Sequence, residues 1–318
     1  MEFVIFNLQI NTKVLNKSNY KAHLALLGAN IIYGVNHIVA KGVMPNKIGP
    51  SAFVFLRIFG AGLLFWVIKS FIKEKIDKKD FPLIILCGLL GVASNQMFFF
   101  NGLNLTSPID ASIIITAVPV MVLIFSAFIL KEKITTLKLI GIALGGIGAV
   151  LLILYGQKVG GTSSVLGNLF VFINACSYAL YMVLVKPLMT KYNPITVISW
   201  AFLFGFIFMF PFGINDLLNT DFSAFTLNTY LTVAFVVLGT TFLAYLFNIY
   251  ALSKVAPSVS GSYIYLQPVV SFIMVAVYAF ILNQEQYAED INYIKIFSCL
   301  MVVAGVYLIS KKSKIPLI

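Results

Sequence analysis

The sequence predicts an all-α polytopic membrane protein, with ten transmembrane helices arranged as two inverted five-helix repeats. Three observations carry that expectation. The chain of 318 residues is 60% hydrophobic and 10% charged, with a mean hydropathy of +0.97, and a soluble protein of this length has too little interior to hide so much apolar surface. Its apolar residues fall into ten runs of about 17–25 residues, the length that crosses a bilayer as helix. A punctuation motif occurs twice: Leu103, Pro108 and Pro119 recur as Leu252, Pro257 and Pro268 at one constant offset of 149.

The ten runs lie near 22–40, 50–68, 81–102, 108–130, 136–155, 165–186, 195–213, 227–252, 257–282 and 293–310. They are continuously apolar and do not alternate every second residue, so they read as helices and not as barrel strands. Further echoes extend the duplication. Ala127 to Leu130 before Glu132 resembles Ala279 to Leu282 before Glu285, and Tyr33 and Lys41 match Tyr178 and Lys186 at offset 145. The boundaries expected are a tail over 1–21, a first repeat over 22–155, a linker over 156–164, a second repeat over 165–310 and a basic tail over 311–318. The tail's apolar start lacks a basic leader and a small-residue cleavage site, so it reads as a flanking segment and the first span as an uncleaved anchor.

Five spans per repeat is an odd number, so the second repeat starts on the opposite side of the bilayer and must be inverted. The lysines agree. With a cytoplasmic amino terminus, 17 of the 21 lysines fall on the cytoplasmic side and only Lys41, Lys47, Lys158 and Lys295 fall outside. Both termini are then cytoplasmic. The same distribution explains the net charge of +11 through anionic lipid headgroups, without a nucleic-acid partner.

Enzyme signatures are sparse. HExxH, GxSxG and GxxxxGK[ST] are absent, and the two histidines are His23 and His37. Cys87, Cys176 and Cys299 sit within spans with no CxxC spacing, which argues against a disulfide framework or a metal site. The expectation is a protein that is not an enzyme and needs no cofactor and no metal.

The spans carry neutral polar stripes instead. Asn30, Tyr33, His37 and Lys41 follow steps of 0, 3, 7 and 11 along the first span, an arc of roughly 80° at about 100° per residue. Ser260, Tyr263, Gln267 and Ser271 repeat those steps on the ninth. Thr241, Tyr245 and Asn248 mark the eighth, Asn174, Tyr178 and Tyr181 the sixth, and Asn95, Gln96 and Phe99 the third. Polar faces inside a bilayer point to the bundle interior or to water, where they either bond across helices or line a cavity. The substrate-binding candidates are therefore Asn30, Tyr33, His37, Asn95, Gln96, Phe99, Tyr178, Tyr181, Tyr245, Asn248, Tyr263 and Gln267.

Arg57 is the single arginine of the chain and lies inside the second span. Two readings stand for it: a structural charge pair with Asp110 at similar depth, and recognition of an anionic substrate group. Gly141, Gly145 and Gly148 form a small-residue face suited to packing within the bundle or to a dimer seam. Pro108 and Pro257 suit first helical turns, whereas Pro119 and Pro268 fall in mid-span and should bend their helices.

These residues resemble a known family. The segment Leu243 to Pro257, followed by Tyr265-Leu266-Gln267-Pro268 and Glu285, closely resembles the second repeat of EamA-type carriers of the drug/metabolite transporter superfamily. Phe99 to Leu103, Pro119-Val120, Leu130 to Thr135 and Gly141 to Gly148 resemble the first repeat, and Ile32 to Asn36 and Leu56 to Phe59 resemble its opening helices. The resemblance implies a central cavity bordered mainly by the first, third, fourth, sixth, eighth and ninth helices, and export or exchange of a small metabolite from a bacterial inner membrane. Its partners would be a small-molecule substrate and the lipid bilayer, and the protein a monomer or weak homodimer. Gln267 stands where a Glu often precedes the proline, which weakens proton coupling through a carboxylate. His37, titrating near neutrality, would serve such coupling or simply a structural hydrogen bond.

Overall fold

The computed structural model describes residues 20–36, 47–106, 111, 114–154, 164–267, 269–270, 273 and 293–310. Among the described residues every regular element is helical. Helix α1 covers 20–36, followed by α2 (Pro50–Ser70), α3 (Lys78–Leu105), α4 (Val118–Ile129), α5 (Thr136–Leu154) and α6 (Val165–Lys191). Then come α7 (Pro194–Leu218), α8 (Leu227–Lys254), α9 from Pro257 and α10 (Tyr293–Ser310). Five of them, α2, α3, α6, α7 and α8, are long and apolar enough to cross a membrane.

The helix starts follow local chemistry. Pro50, Pro194 and Pro257 open α2, α7 and α9 in the first turn, where a missing N–H costs nothing. Side-chain oxygens cap other starts: Ser164 accepts from Gly167 N, Asn193 from Ile195 N and Thr226 from Thr229 N. Asp216, on α7, accepts from Ala52 N at 3.0 Å and so caps α2 from another helix. Helix α4 stops at Lys131, whose φ of 54° reverses the chain and lets Glu132 N bond back to Ser126 O.

Two long helices change pitch in their middles. Helix α3 contains a π segment, Leu89–Ser94, and α8 contains one at Val236–Leu243. The backbone of α9 tightens to a 3₁₀ turn at Tyr263–Tyr265. Pro119 was expected to kink or loosen the fourth helix. The helical backbone at 114–115 gives way to a turn at Thr116–Ala117 and resumes as α4 with Pro119 in its first turn, an interruption of the kind a proline imposes because it has no N–H for a continuous helix. Pro108 and Pro268 lie outside the described residues.

Packing pairs corresponding helices of the two halves, α2 with α7 and α5 with α10. The α5–α10 seam shows why its glycines are there. A Cβ on Gly305 would sit 2.6 Å from Gly141 O and Gly145 N, and one on Gly148 would meet Ser298 O at 2.8 Å. The small-residue face of α5 is thus filled from within the chain. At the α2–α7–α8 junction Phe65 packs on Phe202 and Phe242 at 5.0 and 4.9 Å. The outward sides are apolar instead of polar, with Phe128 82%, Leu300 64% and Leu63 53% exposed, which is what hydrocarbon surroundings accommodate.

Four interhelical connections meet at one end of the bundle. Lys191 donates to Asp77 and Asp80, each at 2.5 Å, and Glu74 accepts from Asn193 N at 3.1 Å, tying the α2–α3 loop to the α6–α7 turn. Lys186 donates to Leu252 O and Val255 O, while Glu132 bonds Lys138 and Ser258, tying the α4–α5 and α8–α9 turns to α6. All four connections belong to the segments that the lysine distribution assigns to the cytoplasm.

Candidate functional site

A cavity of about 120 Å³ lies where α1, α2, α3, α4, α6, α8 and α9 converge. That is well above the minimum of about 10–15 Å³ for one water, so the space can hold several waters or a small ligand. Each wall comes from a polar stripe of the sequence. Helix α1 supplies Asn30, Tyr33 and Asn36; α3 supplies Asn95, Gln96, Phe99 and Phe100; α6 supplies Asn174 and Tyr178; α8 supplies Tyr245 and Asn248; α9 supplies Ser260 and Gln267. Arg57 enters from α2, and Ile115, Val118 and Ile264 close an apolar side.

Hydrogen bonds between walls hold these groups. Gln267 Nε2 donates to Asn30 Oδ1 at 3.0 Å, and Asn30 Nδ2 donates to Leu26 O at 2.8 Å. Asn248 Nδ2 donates to Ala244 O at 3.1 Å, with Tyr33 OH at 3.4 Å. Asn174 Nδ2 donates to Asn95 O at 2.6 Å. The pitch changes provide several of the acceptors, because a π turn leaves carbonyls without their usual helical donors. Gly91 O receives Tyr245 OH at 3.1 Å, Leu90 O receives Ser177 Oγ at 2.8 Å, and Val236 O receives the hydroxyls of Thr240 and Thr241 at 2.6 and 2.9 Å.

Thr241 in turn positions Arg57. Arg57 Nε donates to Thr241 Oγ1 at 2.9 Å, and the guanidinium carbon lies 4.6 Å from the Phe100 ring centre and 5.9 Å from that of Phe53. The side chain is only 4% exposed, yet Nη1 has no hydrogen-bond partner among the described residues. Asn36 Oδ1 and Ser260 Oγ, also on the lining, are likewise buried and unpartnered there.

Of the twelve residues expected to bind substrate, the structure brings nine to this cavity: Asn30, Tyr33, Asn95, Gln96, Phe99, Tyr178, Tyr245, Asn248 and Gln267. His37 lies outside the described residues, as does Asp110, the expected partner of Arg57. Tyr181 and Tyr263 are elsewhere. The Tyr181 ring occupies the notch left by Gly91, where a Cβ would come within 2.3 Å of it, and so packs behind the wall instead of on it. Tyr263 stands at the start of the 3₁₀ turn of α9, and its OH pairs with His23 Nδ1 of α1 at 2.7 Å, off the cavity lining. The sequence reading missed Asn36 and Phe100; for Arg57 it left open a charge pair with Asp110 and recognition of an anionic group, and the side chain lies on the wall. The Arg57 signal was its type: a lone arginine in mid-span, with Thr241 on the polar face of α8, requires an interior position.

Outside the spans, the hydrogen bond from Lys191 holds the Asp77 carboxyl below the usual carboxylate range. Among the described residues no three His, Cys, Asp or Glu side chains converge as a metal set would.

An integral membrane protein built around a polar cavity is thus the class that fold and cavity define. Comparison with known proteins gives the family. The pattern of the EamA-like transporter family matches residues 20–154 and again residues 165–311. The chain belongs to that family, which is one of transporters. It is 29% identical over 267 residues to an uncharacterized transporter of Archaeoglobus fulgidus, covering 83% of this chain and 90% of that one. It is 27% identical over 310 residues to the uncharacterized transporter YetK of Bacillus subtilis, covering 95% and 91%. One solved crystal structure, 18% identical, superposes with a TM-score of 0.72 over 90% of this chain and 95% of that one, a likeness of fold.

Proposed function

We propose that this protein is a secondary-type transporter, not an enzyme, that exports or exchanges a small amphipathic or amino-acid-like metabolite by alternating access. The observation that carries the reading is the cavity itself, a space bounded by seven helices and lined with inward-facing polar groups although hydrocarbon surrounds the bundle. A scaffold has no use for such a space, since closing it with apolar side chains would remove the cost of burying its polar groups. The walls come from both halves of the chain, α1–α4 from one and α6, α8 and α9 from the other. Rocking of two inverted five-helix repeats, 22–155 and 165–310, would open the cavity to each side in turn.

In this reading Tyr33, Tyr178, Tyr245, Asn248 and Gln267 contact the substrate directly. Both termini face the cytoplasm of a bacterial inner membrane, and the working unit is a monomer or weak homodimer. The double match of the family pattern supports two repeats, and the lysine distribution supports their inversion.

Counterflow in proteoliposomes tests the reading. Vesicles preloaded with an unlabelled metabolite mixture should accumulate labelled amino acid or aromatic acid only when the protein is present. Asn248→Leu should abolish the accumulation without lowering the amount of protein inserted. Accumulation unchanged in that variant would remove the cavity from the transport path.

A further inference from the structure

Among the described residues, no carboxylate pairs with Arg57. Its Nε is engaged by the neutral Thr241 hydroxyl at 2.9 Å, aromatic faces cover it at 4.6 and 5.9 Å, and Nη1 is left without a partner in a side chain that is 96% buried. None of the seventeen residues lining the cavity is Asp or Glu. The six described carboxylates are all engaged elsewhere: Glu74, Asp77, Asp80 and Glu132 at the connections of one end, Asp216 at the start of α2, and Asp221 with Ser223. A guanidinium desolvated to this degree needs an anion, and its planar fork of N–H groups fits a carboxylate bidentately.

From this geometry we propose that the substrate brings the missing charge: the cavity takes a small carboxylate with an apolar body, and Arg57 is the group that binds its carboxylate. The proposal rests on the transport reading for its cavity and extends it to a substrate class. The arrangement of the walls matches such a ligand. Arg57 and Tyr33 offer donors, and Phe99, Ile115, Val118 and Ile264 offer apolar surface for the body. The space of about 120 Å³ suits a small acid. A multiply charged phosphate would find one buried cation where it needs several. Because Thr241 and the Phe100 face fix the guanidinium beforehand, little ordering is left for the binding step.

Thermal stabilisation of the purified protein in detergent tests this with matched pairs that differ in charge alone: 3-phenylpropionate against 3-phenylpropanamide, and isovalerate against isovaleramide. The carboxylates should raise the melting temperature and the amides should not. In Arg57→Gln the dissociation constant of the carboxylate should weaken about 30-fold or more, and Arg57→Lys should recover part of it. Equal stabilisation by acid and amide, an undiminished acid effect in Arg57→Gln, or no response to either pair would each overturn the proposal. The wild-type comparison stands even if Arg57→Gln fails to fold. Amides that bind and undergo counterflow while acids do neither would refute the carboxylate assignment and leave transport intact. Acids that bind through Arg57 without any flux would do the reverse.

Discussion

At the scale of single residues the site depends on a short relay, from Val236 O through the Thr241 hydroxyl to Arg57 Nε, at 2.9 Å for each bond. Thr241→Val keeps the shape but leaves the arginine donor unmade in a dry interior. The expected loss is about 1–3 kcal/mol, seen as a lower melting temperature in detergent. Thr241→Ser preserves the hydroxyl and should lie near wild type. Gly91 is a second such point, since the Tyr181 ring fills the space where a side chain would begin. Gly91→Ala should destabilise by about 1–3 kcal/mol through overpacking, and Gly91→Ala with Tyr181→Leu should recover much of that loss. The polar stripes that mark the cavity were readable because a helix repeats every 3.6 residues, so Asn30 and Tyr33, or Tyr245 and Asn248, share a face from spacing alone. Tyr263 was misplaced because spacing gives a face and not a partner, and here the hydroxyl is held by His23 of α1.

Among helices, the starts of α2, α7 and α9 could be read from Pro50, Pro194 and Pro257, because proline in a first turn is a local signal. The π segments of α3 and α8 were not legible. A π turn is stabilised by tertiary acceptors and donors, here Tyr245 on Gly91 O and Ser177 on Leu90 O, and nothing in the residues of α3 alone demands it. The α5–α10 seam gives a prediction for elements. Gly305→Leu pushes a side chain into the α5 backbone and should separate the pair, whereas Leu300→Ala, on the exposed side of α10, should not; melting temperatures of the two variants compare them directly. The Lys191–Asp77 tie gives a prediction in pH. Folding lowers the Asp77 carboxyl's affinity for protons, so the tie's stabilisation is present above the ordinary carboxylate value of about 3.9 and is lost as pH falls through the lower folded value. Lys191→Met should therefore loosen the α2–α3 loop in hydrogen exchange at pH 7, and its difference from wild type should shrink as the pH falls below the ordinary carboxylate value. Both partners are substantially exposed, so the effect on global stability should be small.

For the whole molecule, composition and the repeated Leu–Pro–Pro motif disclosed a helical membrane protein, and the family match over both halves agrees with the duplication. What composition could not disclose was which polar faces turn toward one another, because that depends on how seven helices cross. The connections that meet at one end offer a check on orientation. Residues 72–79, 131–135 and 192–193 should all be reached from the cytoplasmic side by an impermeant reagent, and 215–226 only from the other. The account's central claim is that one cavity opens alternately to both sides. Its most direct test places a single cysteine at Asn248 in a chain freed of Cys87, Cys176 and Cys299, and measures labelling by an impermeant thiol reagent in right-side-out and in inside-out vesicles. Alternating access predicts labelling from both sides, with carboxylate ligand slowing each. Labelling from one side only, whatever ligand is added, would contradict it.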